Sequence, residues 1–142
     1  MAACLAVTVD DDAMRQVEAF VADFAVMHGI CNDDEARLSI VFDELITNLL
    51  KYGYAAGTGP GTVEITLSRD GDCLAVELVD DARAFDPDTA PAPEFDQPAG
   101  ARPAGGLGLY IVRSLTEGMR YRRVDDRNVT QLMFRLESTP KQ

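Results

Sequence analysis

The chain has 142 residues, 46% hydrophobic and 26% charged, which is the size and composition of one globular domain able to bury a core without disulfides or a structural metal. Its 24 acidic residues against 13 basic ones give a formal charge of -11, a field that repels nucleic-acid phosphates and anionic lipid, so neither nucleic acid nor membrane is expected as a partner. Cys4, Cys31 and Cys73 are far apart and lack the paired spacing of zinc or redox sites, so they read as buried free thiols.

Ala3 to Val9 reads as a short strand, and the apolar stretch from Ala2 to Val9 has no basic flank and is too short for a signal peptide or a membrane span, which points to the cytoplasm. Asp10 to Asp12 offer caps for a helix with Val17, Phe20, Val21, Phe24 and Met27 at helical spacing. His28 precedes Gly29 at its C-terminus, where an imidazole suits the helix dipole in a structural or incidental role. A second helix opens at Asn32 with Glu35 completing a capping box, carries Leu38, Val41, Phe42, Leu45 and Leu49 as one stripe, and ends near Gly53.

Gly57, Gly59, Pro60 and Gly61 then make a turn, and alternating Val63, Ile65 and Leu67, a turn at Asp70-Gly71 and a strand from Cys73 to Val79 form a hairpin. Between Asp86 and Ala104 fall five of the seven prolines, a density that blocks helix and sheet ladders and reads as a loop inside one domain. Beyond it Gly105 to Gly108 lead into a helix with Ile111, Val112 and Leu115, stopped near Gly118. A last hairpin turns at Asp125 to Asn128, with Leu132, Phe134 and Leu136 on one face. This order makes an α+β two-layer sandwich, three helices on one face of a mixed, mainly antiparallel sheet.

Three blocks carry chemistry. Glu44 and Asn48, four apart, share one face of the second helix, which reads either as a solvated face completed by Lys51 or as a base beside an oxygen ligand for Mg²⁺. Asp80 ends an apolar strand, where its carboxylate serves a turn or accepts a hydrogen bond from an exocyclic amine. Gly105-Gly106-Leu107-Gly108 opens a helix, and unhindered amides at a helix N-terminus form an anion site. The Lys-Ser/Thr of a Walker motif and the context of a dinucleotide fold are both lacking.

In their order, VFDELITNLLKYGY, VDDARAFDP, the proline loop and GGLGLYIVR, with NVTQLMFRL near the end, closely resemble the GHKL ATP-binding superfamily. Within it they resemble the bacterial anti-sigma-factor serine kinases of partner-switching systems, over about residues 10 to 137. The resemblance implies a Bergerat-type fold, ATP and Mg²⁺ as cofactors, one domain over 1–142, and a lid at about 86–104. It implies that Glu44 is the general base and Asn48 the Mg²⁺ ligand. Lys51 and Tyr52 would lie near the phosphates, Asp80 would recognise adenine, and Arg102 would approach the terminal phosphate. Gly105, Gly106, Leu107 and Gly108 would form the phosphate loop, with Ala82, Phe85 and Thr130 around the nucleotide. Two positions depart from the family pattern: Ala82 stands where glycine is usual, so the backbone there must suit alanine, and Tyr52 stands where related kinases often carry histidine.

The implied activity is transfer of a phosphate to a serine of a STAS-type anti-sigma-factor antagonist, by a protein that also holds a sigma factor and forms a homodimer. The rival is a nucleotide-gated module that sequesters a partner without phosphotransfer. A sensor histidine kinase core would need a separate phosphoacceptor domain, and the sole histidine, His28, sits in a packing helix.

Overall fold

The computed structural model describes residues 2–55, 57–84 and 106–137, with only the backbone for 106–109. Strand β1 spans Ala2–Thr8, followed by helices α1 (Ala13–His28) and α2 (Asn32–Tyr52) and by the hairpin β2 (Thr62–Asp70) and β3 (Cys73–Asp80). Helix α3 (Gly106–Leu115) precedes a second hairpin, β4 (Gly118–Val124) and β5 (Arg127–Arg135). One sheet has the order β1-β2-β3-β5-β4, with β1 and β4 at its edges. Every neighbouring pair is antiparallel, so the α+β expectation holds and no parallel pair occurs among the described residues.

Side chains on a strand alternate between faces, so the register decides what the helices meet. It aligns Val7, Val63, Asp80 and Asn128 across four strands, then Leu5, Ile65, Leu78 and Thr130, then Leu67, Val76 and Leu132. Val17, Val21 and Phe24 of α1, Leu38, Val41, Phe42 and Ile46 of α2, and Val112 of α3 close over this face in one apolar cluster. Each fully buried side chain of the size of Phe42 or Ile65 contributes about 1.5–3 kcal/mol. The apolar rows stop at the Asp80 and Asn128 end, where the same face turns polar.

Several local expectations need correction. Met27 is 76% exposed although it lies within α1, since the buried stripe of that helix runs through Val17, Val21, Phe24 and Ala25; past left-handed Gly29 (φ 64), Ile30, its N–H bonded to the Ala25 carbonyl, joins the core. Asp12 is the N-cap residue but makes no side-chain cap bond: its carboxylate binds Arg15 at 2.7 and 2.8 Å and Gln16 at 3.1 Å. No capping box forms in α2 either, since Asn32 is already helical and Cys31 is the cap residue. Ile46 takes the core position on α2, while Leu45 and Leu49 are half-buried. The hairpin loops are Gly71-Asp72, one residue later than expected, and Asp125-Asp126, whose φ values of 49° and 63° suit a two-residue turn. None of the three cysteines forms a disulfide, but Cys4 is exposed and Cys31 and Cys73 are half-buried. His28 stacks on Phe24 with ring centroids 4.1 Å apart, a structural role as expected.

Candidate nucleotide site

Asp80 is 6% exposed at the end of β3, on the helix-facing side of the sheet. Its Oδ1 accepts the backbone N–H of Ala82 at 3.0 Å and the Nδ2 of Asn128 at 2.8 Å, while none of the described residues bonds Oδ2. Burial raises the carboxyl above its ordinary value, and the bonds from Asn128 and Ala82 offset only part of that. Asn128 is 4% exposed and also donates to the carbonyls of Arg83 (2.9 Å) and Ala82 (3.3 Å). Its own Oδ1 accepts from the Tyr121 hydroxyl and from Arg123 at 3.0 Å, and Arg123 reaches the Ala82 carbonyl at 2.8 Å. The turn after β3 is thus bolted to β4 and β5 by side chains, and Asp80 Oδ2 is left open to accept.

The C-terminus of α2 meets the same turn. Arg83 N–H donates to the Gly53 carbonyl at 3.0 Å, and a Cβ on Gly53 would lie 3.1 Å from the Ala82 methyl and 2.7 Å from the Leu49 carbonyl oxygen. Only glycine allows this approach. Ala82 itself is 2% exposed and is not among the described residues with positive φ, which are Asp125 and Asp126 apart from glycines, so the alanine sits there without backbone strain. Next to it, Asp81 Oδ1 accepts the Tyr54 hydroxyl (2.6 Å) and the Thr62 N–H (3.0 Å), and a methyl on Gly61 would overlap both side chains. Burial, then the Asp81 carboxylate, raise the Tyr54 phenol, so it stays a donor. Burial raises the Asp81 carboxyl as well, yet the Tyr54 and Thr62 bonds outweigh it and bring that carboxyl below the usual value.

Glu44 and Asn48 lie one turn apart on α2, about 6 Å along the axis, and both are half-buried. The Nδ2 of Asn48 is buried and has no hydrogen-bond partner among the described residues, an arrangement that costs free energy unless an acceptor completes it. Lys51 and Tyr52 are exposed on the last turn of α2, and Thr130 is half-buried on β5, opposite Leu78 and two residues from Asn128 on the same face. Gly106, Leu107 and Gly108 form the first turn of α3, which packs on α2. Phe85, Arg102, Gly105 and the 86–104 segment lie outside the described residues. The structure therefore brings Asp80, Ala82 and Thr130 to one end of the sheet beside the C-terminal turns of α2.

Asn128, Tyr121 and Arg123 were not singled out as site residues, because Asn128 reads locally as turn chemistry. The only sequence signal is its place two residues before Thr130 on an alternating strand. Asn48 makes no hydrogen bond among the described residues, so its amide oxygen, the atom of that side chain able to ligate Mg²⁺, is unengaged; the described residues hold no cluster of three or more His, Cys, Asp or Glu. Among the described residues no helix is long and apolar enough to cross a membrane.

Comparison with known proteins gives a consistent picture. The histidine kinase-like ATPase domain family matches residues 7–134. The chain is 25% identical over 91 residues to the serine/threonine-protein kinase BtrW of Bordetella bronchiseptica, covering 64% of this chain and 63% of that protein. It is 26% identical over 117 residues to the serine-protein kinase RsbW of Bacillus mycoides, covering 80% of this chain and 71% of that protein. Among solved structures, the RsbU and RsbW domains of Rv1364c from Mycobacterium tuberculosis superpose with a TM-score of 0.67 at 16% identity, over 96% of this chain and 32% of that one. The histidine kinase domain of the blue-light activated histidine kinase from Erythrobacter litoralis EL346 superposes with a TM-score of 0.52 at 20% identity, over 72% of this chain and 45% of that one. These superpositions establish the shared fold.

Proposed function

Because the chain belongs to the histidine kinase-like ATPase domain family, we propose that it binds Mg²⁺-ATP between the C-terminal half of α2, the Asp80 end of the sheet and α3, and transfers the γ-phosphate to a serine of a partner protein. The partner is a STAS-type anti-sigma-factor antagonist, and a sigma factor is the protein held and released. Support for transfer to serine comes from relatives named as a serine/threonine-protein kinase and a serine-protein kinase, matched over 64% and 80% of this chain. The whole chain acts as one domain in the cytoplasm, as a homodimer, with residues 86–104 closing over the nucleotide as a lid.

The observation that carries the nucleotide reading is the Asp80 carboxylate. A buried acid with one oxygen fixed by its own chain and the other open to accept is suited to the exocyclic amine of adenine. Thr130 lies on the same face to complete the base pocket at the end of the sheet where the Ala82 turn begins, and Phe85 would add to its wall. Mg²⁺, when bound, neutralises phosphate charge and helps align the nucleotide for in-line attack. Asn48 would hold it through the amide oxygen, and the first-turn N–H groups of α3 with Gly105, Gly106, Leu107 and Gly108 would hold the phosphates. Lys51 and Tyr52 stand near the phosphates, and Arg102 would balance charge on the transferring group. Glu44, one turn before Asn48, would accept the serine hydroxyl proton as that oxygen attacks phosphorus.

The test is transfer of labelled γ-phosphate from ATP to a purified STAS-type antagonist. The wild type is expected to label a serine, and Glu44→Gln to bind ATP unchanged while transfer falls by about 10²- to 10⁴-fold. Undiminished transfer in that variant would remove Glu44 as base. ATP binding with no transfer by the wild type to antagonists it binds would leave the nucleotide-gated sequestering module.

A further inference from the structure

The Asp80 carboxylate does not stand alone, and its setting carries an inference that rests on the nucleotide reading above. A free carboxylate can turn about its last torsion and offer either oxygen, or take up a proton and become a donor. Selection of an amine over a carbonyl requires that neither happen. Asn128 meets both requirements. Its Nδ2 donates to Asp80 Oδ1 at 2.8 Å, and it cannot turn over, because the same nitrogen serves the Arg83 carbonyl at 2.9 Å while its oxygen takes donors from Tyr121 and from Arg123 at 3.0 Å. Reversal would set its oxygen against Asp80 Oδ1 and two carbonyl oxygens, and its nitrogen against two donors.

We propose that Asn128 is the specificity-determining positioning residue of the base pocket: by fixing Asp80 Oδ1 it leaves Oδ2 as a pure acceptor, so the site takes a purine with a 6-amino group and rejects one with a 6-oxo group. It acts through Asp80 and needs no contact with the base. The groups that bear on Asp80's charge act in opposite senses. Burial and neighbouring Asp81 favour the proton, while Asn128, the Ala82 N–H and Arg123 on β4 oppose it. Tyr54, which follows α2, is held as a neutral donor to Asp81 and adds no charge at neutral pH. Without Asn128 the balance moves toward a protonated carboxyl, which can donate to a 6-oxo oxygen, and the carboxyl is freed to turn.

The experiment compares the affinities of Mg²⁺-ATP and Mg²⁺-ITP, which differ at position 6 of the purine, by calorimetry on the wild type, Asn128→Leu and Asn128→Ser, with unfolding curves on each. Leucine matches asparagine in shape but has no donor, and serine ends one bond short of Asp80 while leaving room for water if leucine does not fold. The wild type is expected to prefer ATP by about 100-fold, and the folded variants by less than about 10-fold, with ITP gaining as ATP loses. A merely structural Asn128 would weaken both nucleotides alike and leave the ratio unchanged, which would overturn the proposal while sparing the nucleotide site. A wild type that binds both equally would overturn it as well. Binding of neither nucleotide would remove the site itself, and this proposal with it.

Discussion

Among the described residues two aspartates are buried, at opposite ends of the sheet, and their surroundings differ in kind. Asp34, 1% exposed near the start of α2, has both oxygens engaged: Oδ1 pairs with Arg37 at 2.5 Å and Oδ2 accepts the Glu137 N–H at 3.0 Å. Arg37 in turn reaches the Arg135 carbonyl at 2.9 Å, so the pair fastens α2 to the chain as it leaves β5. Asp80 has two neutral donors on one oxygen and none from the described residues on the other. A buried carboxylate with its charge paired and its oxygens engaged is a latch. One left half-engaged is stabilised only when a ligand supplies the missing donor, and that asymmetry marks the site.

The comparison breaks first on stability. Asp34→Ala leaves Arg37 charged and partly buried, and denaturant unfolding is expected to show a loss of about 3–5 kcal/mol, the range for removing one partner of a buried pair. If Asp34→Ala unfolds with the wild-type midpoint, the latch is not one. Asn48→Ala sharpens the other side. It removes an amide that the apoprotein leaves unpartnered, so the unfolding midpoint is expected to hold or rise, while affinity for Mg²⁺-ATP falls by about tenfold and affinity for ATP in chelator is unchanged. A loss of stability equal to that of Asp34→Ala would class Asn48 with the latch.

The smallest effect is a pH dependence. The folded state raises the Asp80 carboxyl above its ordinary value of 3.8, so above that value the native state holds this proton longer than the unfolded chain does. Native stability attributable to Asp80 therefore declines as pH rises through the window from 3.8 up to the raised value, and is level beyond it. Asp80→Asn abolishes that decline. The variant's stability relative to wild type should grow with pH across the window, read from urea midpoints at a series of pH values, and a constant difference would contradict it.

The fold was legible because its signals are local and periodic. Val63, Ile65 and Leu67 alternate, Leu38, Val41 and Phe42 recur at helical spacing, and the glycine turns separate them. Met27 failed because apolar spacing does not say where the buried stripe of a helix ends: the stripe of α1 runs through Val17, Val21, Phe24 and Ala25, and only the packed core shows that Met27 lies beside it while Ile30 joins the core. Asp80, Asn48 and Glu44 stood out through motif order, whereas Asn128 did not. Its bond to Asp80 joins residues 48 apart through the β3 and β5 register, and no window of sequence holds both. The departure at Ala82 reads as a defect in sequence and as a fitted contact in the structure, since its methyl occupies space left by Gly53.

The most direct test is calorimetric titration of Mg²⁺-ATP into the wild type and Asp80→Asn, with an unfolding curve for each. Asparagine keeps an oxygen for the Ala82 and Asn128 donors and replaces the open acceptor by a donor that faces adenine's own amine. The account expects the wild type to bind, and the variant to bind at least about 100-fold more weakly while unfolding no earlier. Wild-type affinity in the folded variant would contradict the assignment of the half-engaged carboxylate as the base-reading group.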